Sequence, residues 1–175
     1  MDQENALKHV ESVLSLTADR AAVLQSKLEE IFFRAQRLSN ALKNGTKNAD
    51  YMFGYDLQHF RSEVRAFGIE LSAVPNMIGG LERGAAYEGA AVTRARAVMH
   101  LTERLSRGLH AFQDMALLAQ AHIREAEHKI EAWHMVQDVE QMVQKARPLP
   151  MMANKVLIKI STPDVKGGAP PAPAA

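Results

Sequence analysis

The sequence predicts an all-α protein, an elongated antiparallel coiled coil in the form of a three-helix up-down-up bundle with one very long third helix. Three observations predict this class. Apolar residues repeat every seven positions in three long segments. The composition is 47% apolar but only 6% aromatic, and is rich in helix formers. The prolines and Gly-Gly pairs lie near the ends of those segments. We expect helices at about 3–43, 50–74 and 86–147, forming one domain over residues 1–147.

The first predicted helix carries an unbroken heptad for about five repeats, which is long enough to be a specific signal. Asn44 and Gly45 predict its end, because Gly favours the position just after a helix C-terminus. The short loop that follows predicts an antiparallel neighbour. The two heptad rows are Leu7, Leu14, Ala21, Leu28, Ala35 and Leu42, and Val10, Thr17, Leu24, Ile31 and Leu38.

The second predicted helix has the same 3-4 spacing and most of the phenylalanines. At its entry, Tyr51, Phe53 and Tyr55 either cap the bundle end or form an exposed recognition patch. Its apolar rows are Leu57, Val64, Leu71 and Ile78, and Phe60, Phe67, Val74 and Leu81. Proline cannot donate to a helical ladder, so the stretch 75–89 is predicted to be a hinge or turn. The hinge residues are Pro75, Gly79 and Gly80.

The third predicted helix spans about 60 residues, and its heptad slips by one position after Trp133. Its apolar stripe is longer than the other two helices can cover, so we expect the stripe to bind a protein partner or a second copy of the chain. The predicted interaction seam is Leu105, Leu109, Phe112, Ile123, Ile130 and Trp133.

The end of the chain changes character. Pro148 and Pro150 are predicted to stop the third helix. Residues 148–162 form an extended segment with a strand candidate at 155–161, in which Val156, Ile158 and Ile160 alternate with other residues. This segment either adds to a partner's sheet edge or lies along the bundle. Residues 163–175, rich in Pro, Ala and Gly, predict a flexible tail.

Two patterns resemble catalytic or metal-binding motifs. Glu125–His128 and Glu131–His134 have the Glu-x-x-His spacing of di-iron bundles, but the heptad directs them away from the seam, where such ligands must point. Phe112-Gln113-Asp114-Met115 resembles the active helix of the chemotaxis response-regulator phosphatases. That family has Gln four residues after the Asp, whereas Leu118 stands here. We therefore expect no catalytic residue, no metal ligand and no cofactor; a helical-bundle phosphatase or metal protein is a remote alternative.

Composition and charge exclude further classes. There is no cysteine, which excludes disulfides and thiolate chemistry. The net charge is +1, and the arginines from residue 83 to 107 are not interleaved with aromatics, so nucleic-acid binding is not expected. The N-terminus lacks a secretory signal and no run is long enough to span a bilayer, which predicts a cytoplasmic protein.

We therefore expect a non-catalytic structural or interaction protein, acting as a helical subunit, adaptor or chaperone of a larger assembly. It would bind protein partners, or itself, through the third helix and the C-terminal segment. The alternative is an amphipathic protein that coats a lipid or granule surface through an opened bundle, without spanning a membrane.

Overall fold

A computed structural model of the chain describes residues 3–46, 50–82, 90–124 and 126–162. These residues are almost entirely helical, and no strand occurs among them. An all-α fold is therefore confirmed. The helices are α1 (Gln3–Lys43), α2 (Phe53–Leu71), α3 (Val74–Glu82), α4 (Ala91–His122), α5 (Ala126–Ala146) and α6 (Leu149–Ser161).

The helices form a bundle of four arms, because α2 with α3 and α5 with α6 each make one bent arm. The α1 arm packs on α4 and on the α2–α3 arm, and the α5–α6 arm packs on the other sides of those two neighbours. Ion pairs fix the directions. Arg94 of α4 contacts Glu4 and Glu11, so α1 and α4 run parallel. Arg20 pairs with Glu70 and Arg34 pairs with Asp56, so α1 and α2 run antiparallel.

The heptad rows of the first two predicted helices form the core. Ten of the eleven α1 positions face inward or are half-buried, and Leu42 at the end is exposed. All eight positions of the second set are buried, including Val74, Ile78 and Leu81 beyond the break between α2 and α3. The rings of Phe60 and Phe112 stack across the core with centroids 5.9 Å apart.

The predicted hinge at 75–89 is wrong for its first residues. Pro75 is the second residue of α3, where a missing N–H costs no helical hydrogen bond. Gly79 and Gly80 lie inside α3, which the burial of Ile78 and Leu81 holds against the core. The real interruption is at residues 72–73, one turn earlier. The rest of the hinge, residues 83–89, falls outside the described residues.

The prediction of one long third helix over 86–147 is also wrong, because the chain turns back after His122. Ile123 adopts an extended conformation (φ −84°, ψ 96°), and α5 then packs antiparallel against α4. The α5–α6 arm of the same chain therefore covers the apolar stripe of α4. Past the turn the core row changes, so Ile130 (66% exposed) and Trp133 (52%) point to solvent. The buried residues instead are Ala132, Met135, Val136, Val139, Met142, Val143 and Ala146.

The predicted strand at 155–161 is a helix. Pro148 precedes α6 and Pro150 is its second residue, so the two prolines begin a helix rather than only ending one. The buried side chains are Leu149, Ala153, Val156 and Ile160, a helical spacing, while Ile158 is 56% exposed. The helix satisfies its own backbone hydrogen bonds and packs on α3 and α4, so it needs no partner strand. The predicted tail, 163–175, falls outside the described residues.

Candidate interaction surfaces

One end of the bundle, which we call the loop end, gathers the last turns of α1 and α4 and the first turns of α2 and α5. Contacts between side chains place these turns together. The ring of Phe32 meets that of His122 edge-on at 5.4 Å, and Phe53 meets His128 in the same way at 5.3 Å. Arg34 of α1 donates hydrogen bonds to Asp56 of α2. All four arms therefore contribute to this end.

The loop end carries most of the exposed large apolar side chains. Nine of the fourteen found among the described residues belong to residues 33–55 and 117–133, and all four exposed aromatics are among them. Exposed apolar side chains that are concentrated in one region mark binding sites more often than scattered single residues do. The nine are Phe33, Leu42, Tyr51, Met52, Tyr55, Leu117, Leu118, Ile130 and Trp133.

The predicted entry aromatics divide between two roles. Phe53 is buried and caps the core, with the guanidinium of Arg34 at 5.4 Å from its ring centroid. Tyr51 is 92% exposed and Tyr55 64%, and the Tyr55 ring lies parallel to that of His59. The two interpretations left open by the sequence therefore each describe part of this segment: one ring is a cap and two are displayed.

Arg34 fixes the backbone that displays these tyrosines. It donates to both carboxylate oxygens of Asp50 at 2.8 Å and to Asp56 at 2.6 Å. The side chain of Arg34 is only 12% exposed. The hydrogen bonds from Arg34 lower the pKa of Asp50, despite burial, and the bonds to Asp50 raise the pKa of Arg34. A bidentate pair of this kind is directional, so it orients the chain on both sides of Tyr51.

Arg61 has the equivalent role between α2 and α5. It donates to Glu131 and, at 2.9 Å, to Asp138, and all three side chains are largely buried. Burial disfavours the charge of Arg61, but the two carboxylates outweigh it and raise its pKa. Glu131 is thus used in a structural ion pair, two residues before the exposed Trp133.

The cavities lined by α1 are small. At the loop end, Ser39, Leu42, Phe53, His122 and His128 line a space of about 10 Å³, which is at most large enough to hold one water molecule. Two other grooves, between α1 and α4 and between α1 and α2, measure about 150 and 200 Å³. Sites for drug-sized ligands usually exceed ~300 Å³. These spaces are therefore less suited to a small molecule than the apolar loop end is to a macromolecule.

The structure separates the residues of the predicted seam. Leu105, Leu109, Phe112 and Ile123 are buried in the chain's own core, so they are not available to a partner. Their neighbours in the prediction, Ile130 and Trp133, are instead displayed at the loop end. The register slip near Trp133 was the sequence signal for this exposure, because the buried row of α5 does not include Trp133.

The two motif resemblances gain no supporting geometry. No cluster of three or more His, Asp or Glu side chains suited to a metal ion occurs in the part of the chain that the structure describes. His128 packs against Phe53, and Glu125 and the side chain of Glu127 lie outside the described residues. Asp114 is exposed on α4, with the exposed apolar Leu118 one turn further along.

No protein-family model, no curated protein and no solved structure matches this chain. Among the described helices, none combines the length and the hydropathy that a membrane span requires. The fold and the exposed apolar side chains of the loop end are therefore the basis for proposing a function.

Proposed function

We propose that this chain is a non-catalytic interaction protein that binds a partner protein through the loop end of its bundle. The observation that carries the proposal is the concentration of exposed apolar side chains there, including Tyr51, Tyr55 and Trp133. Tyr and Trp are the residues that most often dominate the energy of protein interfaces. The core faces of the described arms are occupied within the chain, so they are not available to another protein.

The rigidity of the loop end supports the same proposal. Tyr51 and Tyr55 lie between Asp50 and Asp56, the two carboxylates that Arg34 holds, and Trp133 follows Glu131, which Arg61 holds. Side chains displayed from an ordered backbone lose less conformational entropy on binding than side chains on a flexible loop. A partner would therefore find these rings already positioned.

The test is quantitative affinity purification of the full chain and of the double variant Tyr55→Ser, Trp133→Ser. We expect a partner whose recovery falls at least tenfold with the variant, since each interface aromatic contributes on the order of 2 kcal/mol. Circular dichroism should show an unchanged fold, because both side chains are more than half exposed.

The matched control is Leu16→Ser, Val23→Ser, which removes two exposed apolar side chains of α1 that lie away from the loop end. Recovery of the partner should not change with the control. Equal loss with both variants, or no dependence on Tyr55 and Trp133, would refute the proposal. Light scattering after size exclusion identifies a second copy of the chain as the partner if the mass falls from dimer to monomer with the first variant.

A further inference from the structure

The bundle has a second surface of distinct chemistry, on the outer side of the antiparallel helices α4 and α6. On α4, the exposed side chains of Arg96, His100 and Arg107 lie on one face, because they are four and seven residues apart. On α6 and just before it, the exposed side chains with a 3–4 residue spacing are Arg147, Met151, Lys155 and Ile158. A shallow groove lined by Glu103, Ser106, Arg107 and Pro150 joins the two helices. We call this surface the α4–α6 face.

The α4–α6 face is strongly basic compared with the whole chain. Its four cations are Arg96, Arg107, Arg147 and Lys155, and its one carboxylate is Glu103, which gives a net charge of +3 against +1 for the chain. The sequence of α6 contains no acidic residue. Positive potential is therefore concentrated on one side of the molecule.

These cations have no carboxylate partner among the described residues, in contrast to five cations at the other helix contacts. Arg20, Lys27 and Arg34 pair with α2 or the residues just before it, Arg61 pairs with α5, and Arg94 pairs with α1. Between α4 and the α5–α6 arm the described residues form no ion pair. Among the described residues, ion pairs between arms thus occur at three of the four sides of the bundle.

Two exposed apolar side chains lie among these cations. Met151 is 66% exposed and Ile158 is 56% exposed, and they lie about one turn before and one turn after Lys155 on the same outer row of α6. A cationic helix face with exposed aliphatic groups is the pattern of helices that lie in the interface of an anionic bilayer. A nucleic acid would be expected to meet stacking aromatic side chains, and none lies on this face.

We propose that the α4–α6 face binds the surface of an anionic phospholipid bilayer with the bundle closed. The four cations lie at the level of the lipid phosphates, and Met151 and Ile158 insert at the boundary between headgroups and acyl chains. This binding surface is separate from the loop end and does not depend on it. It needs no opening of the bundle, because the core row of α6 stays buried against α3 and α4.

The test measures co-sedimentation of the full chain with vesicles of phosphatidylcholine that contain about one-third phosphatidylglycerol. A cation near such a surface contributes about a fivefold factor in binding. Removing three charges should therefore lower the vesicle partition coefficient about 100-fold. The variant is Arg107→Gln, Arg147→Gln, Lys155→Gln.

The matched control removes the same charge from exposed cations elsewhere, in the variant Lys43→Gln, Arg65→Gln, Lys129→Gln. It should lower the partition coefficient by less than about threefold, because charges further than a Debye length from the surface are screened. Equal loss with both variants would overturn the proposal, since it would mean that only net charge matters.

Two further measurements distinguish other occupants of the α4–α6 face. Vesicles of pure phosphatidylcholine should bind on the order of 100-fold more weakly, and Met151→Ser, Ile158→Ser should weaken binding to anionic vesicles about tenfold. Equal binding to neutral vesicles would overturn the proposal. So would an absence of binding to anionic vesicles together with binding to heparin, which would assign the face to a soluble polyanion.

Discussion

The register of α5 gives the sharpest test of the packing, because the heptad and the structure bury different residues. We compare Met135→Ala with Ile130→Ala. Met135 is 0% exposed and lies in the core between the arms, whereas Ile130 is 66% exposed. The heptad that continues from α4 would place Ile130 in a buried seam and would leave Met135 outside it.

The magnitudes follow from burial. Truncation of a fully buried Met removes its apolar contacts and leaves a cavity, which costs about 2–5 kcal/mol of the free energy of unfolding. Truncation of Ile130 removes little buried surface, and the higher helix propensity of Ala offsets part of that loss. Its expected effect is within about 0.5 kcal/mol.

The assay is urea unfolding followed by far-ultraviolet circular dichroism, with the midpoint and the slope m fitted for each variant. A change of midpoint at constant m reports stability alone. The reasoning is refuted if Ile130→Ala destabilises the protein more than Met135→Ala does.

Two other consequences concern glycines and pH. Gly108→Ala should raise the free energy of unfolding by about 0.5–1 kcal/mol, because Gly108 lies mid-helix and no atom lies within 4 Å of an added Cβ. Gly54→Ala should stabilise the protein less or destabilise it, because the added Cβ would lie 3.0 Å from the His128 ring. Thermal melts of the two variants test this difference. The lowered pKa of Asp50 means that its pairing with Arg34 contributes stability above the ordinary pKa of 3.8 and loses it as pH falls through the lowered value. Asp50→Asn should therefore cost about 1–2 kcal/mol at neutral pH and nothing at strongly acidic pH, and equal cost at both pH values in urea titrations would contradict the role of this carboxylate.

The sequence predicted the arms whose apolar repeat and end signals agree. The structure buries most of the predicted heptad of α1 and the whole predicted row from Leu57 to Leu81. It also ends α1 just before Asn44-Gly45. Pro75 was ambiguous, because a proline near the middle of an apolar repeat fits either a kink or the first turn of a new helix. Burial of Ile78 and Leu81 decides in favour of the new helix, and this depends on tertiary contacts that one segment does not reveal.

The end of α4 at His122 and Ile123 had no local signal. The surrounding residues are good helix formers, without Gly or Pro, and the apolar spacing continues by coincidence to Ile130 and Trp133. The strand interpretation of residues 155–161 failed for a related reason. Val156 and Ile160 fit both a two-residue and a helical period, and the helical row that includes Leu149 and Ala153 buries more apolar surface.

The candidate surfaces could be predicted only in part. The aromatic entry segment was visible in the sequence, but its division into the buried Phe53 and the displayed Tyr51 and Tyr55 required the contacts of Arg34. The α4–α6 face could not be predicted at all, because it joins residues near 100 with residues near 150 through a turn that the sequence does not announce.

The reversal of the chain after His122 is the claim on which both surfaces depend, and one distance tests it directly. The chain has no cysteine, so spin labels on Ala111→Cys and Gln144→Cys, both exposed positions, are unambiguous. Antiparallel packing of α4 and α5, with axes about 8–10 Å apart, should give one distance distribution below about 30 Å by electron paramagnetic resonance. A distribution near about 50 Å, the length of a continuous helix between these positions, would contradict the reversal and the assignment of both surfaces.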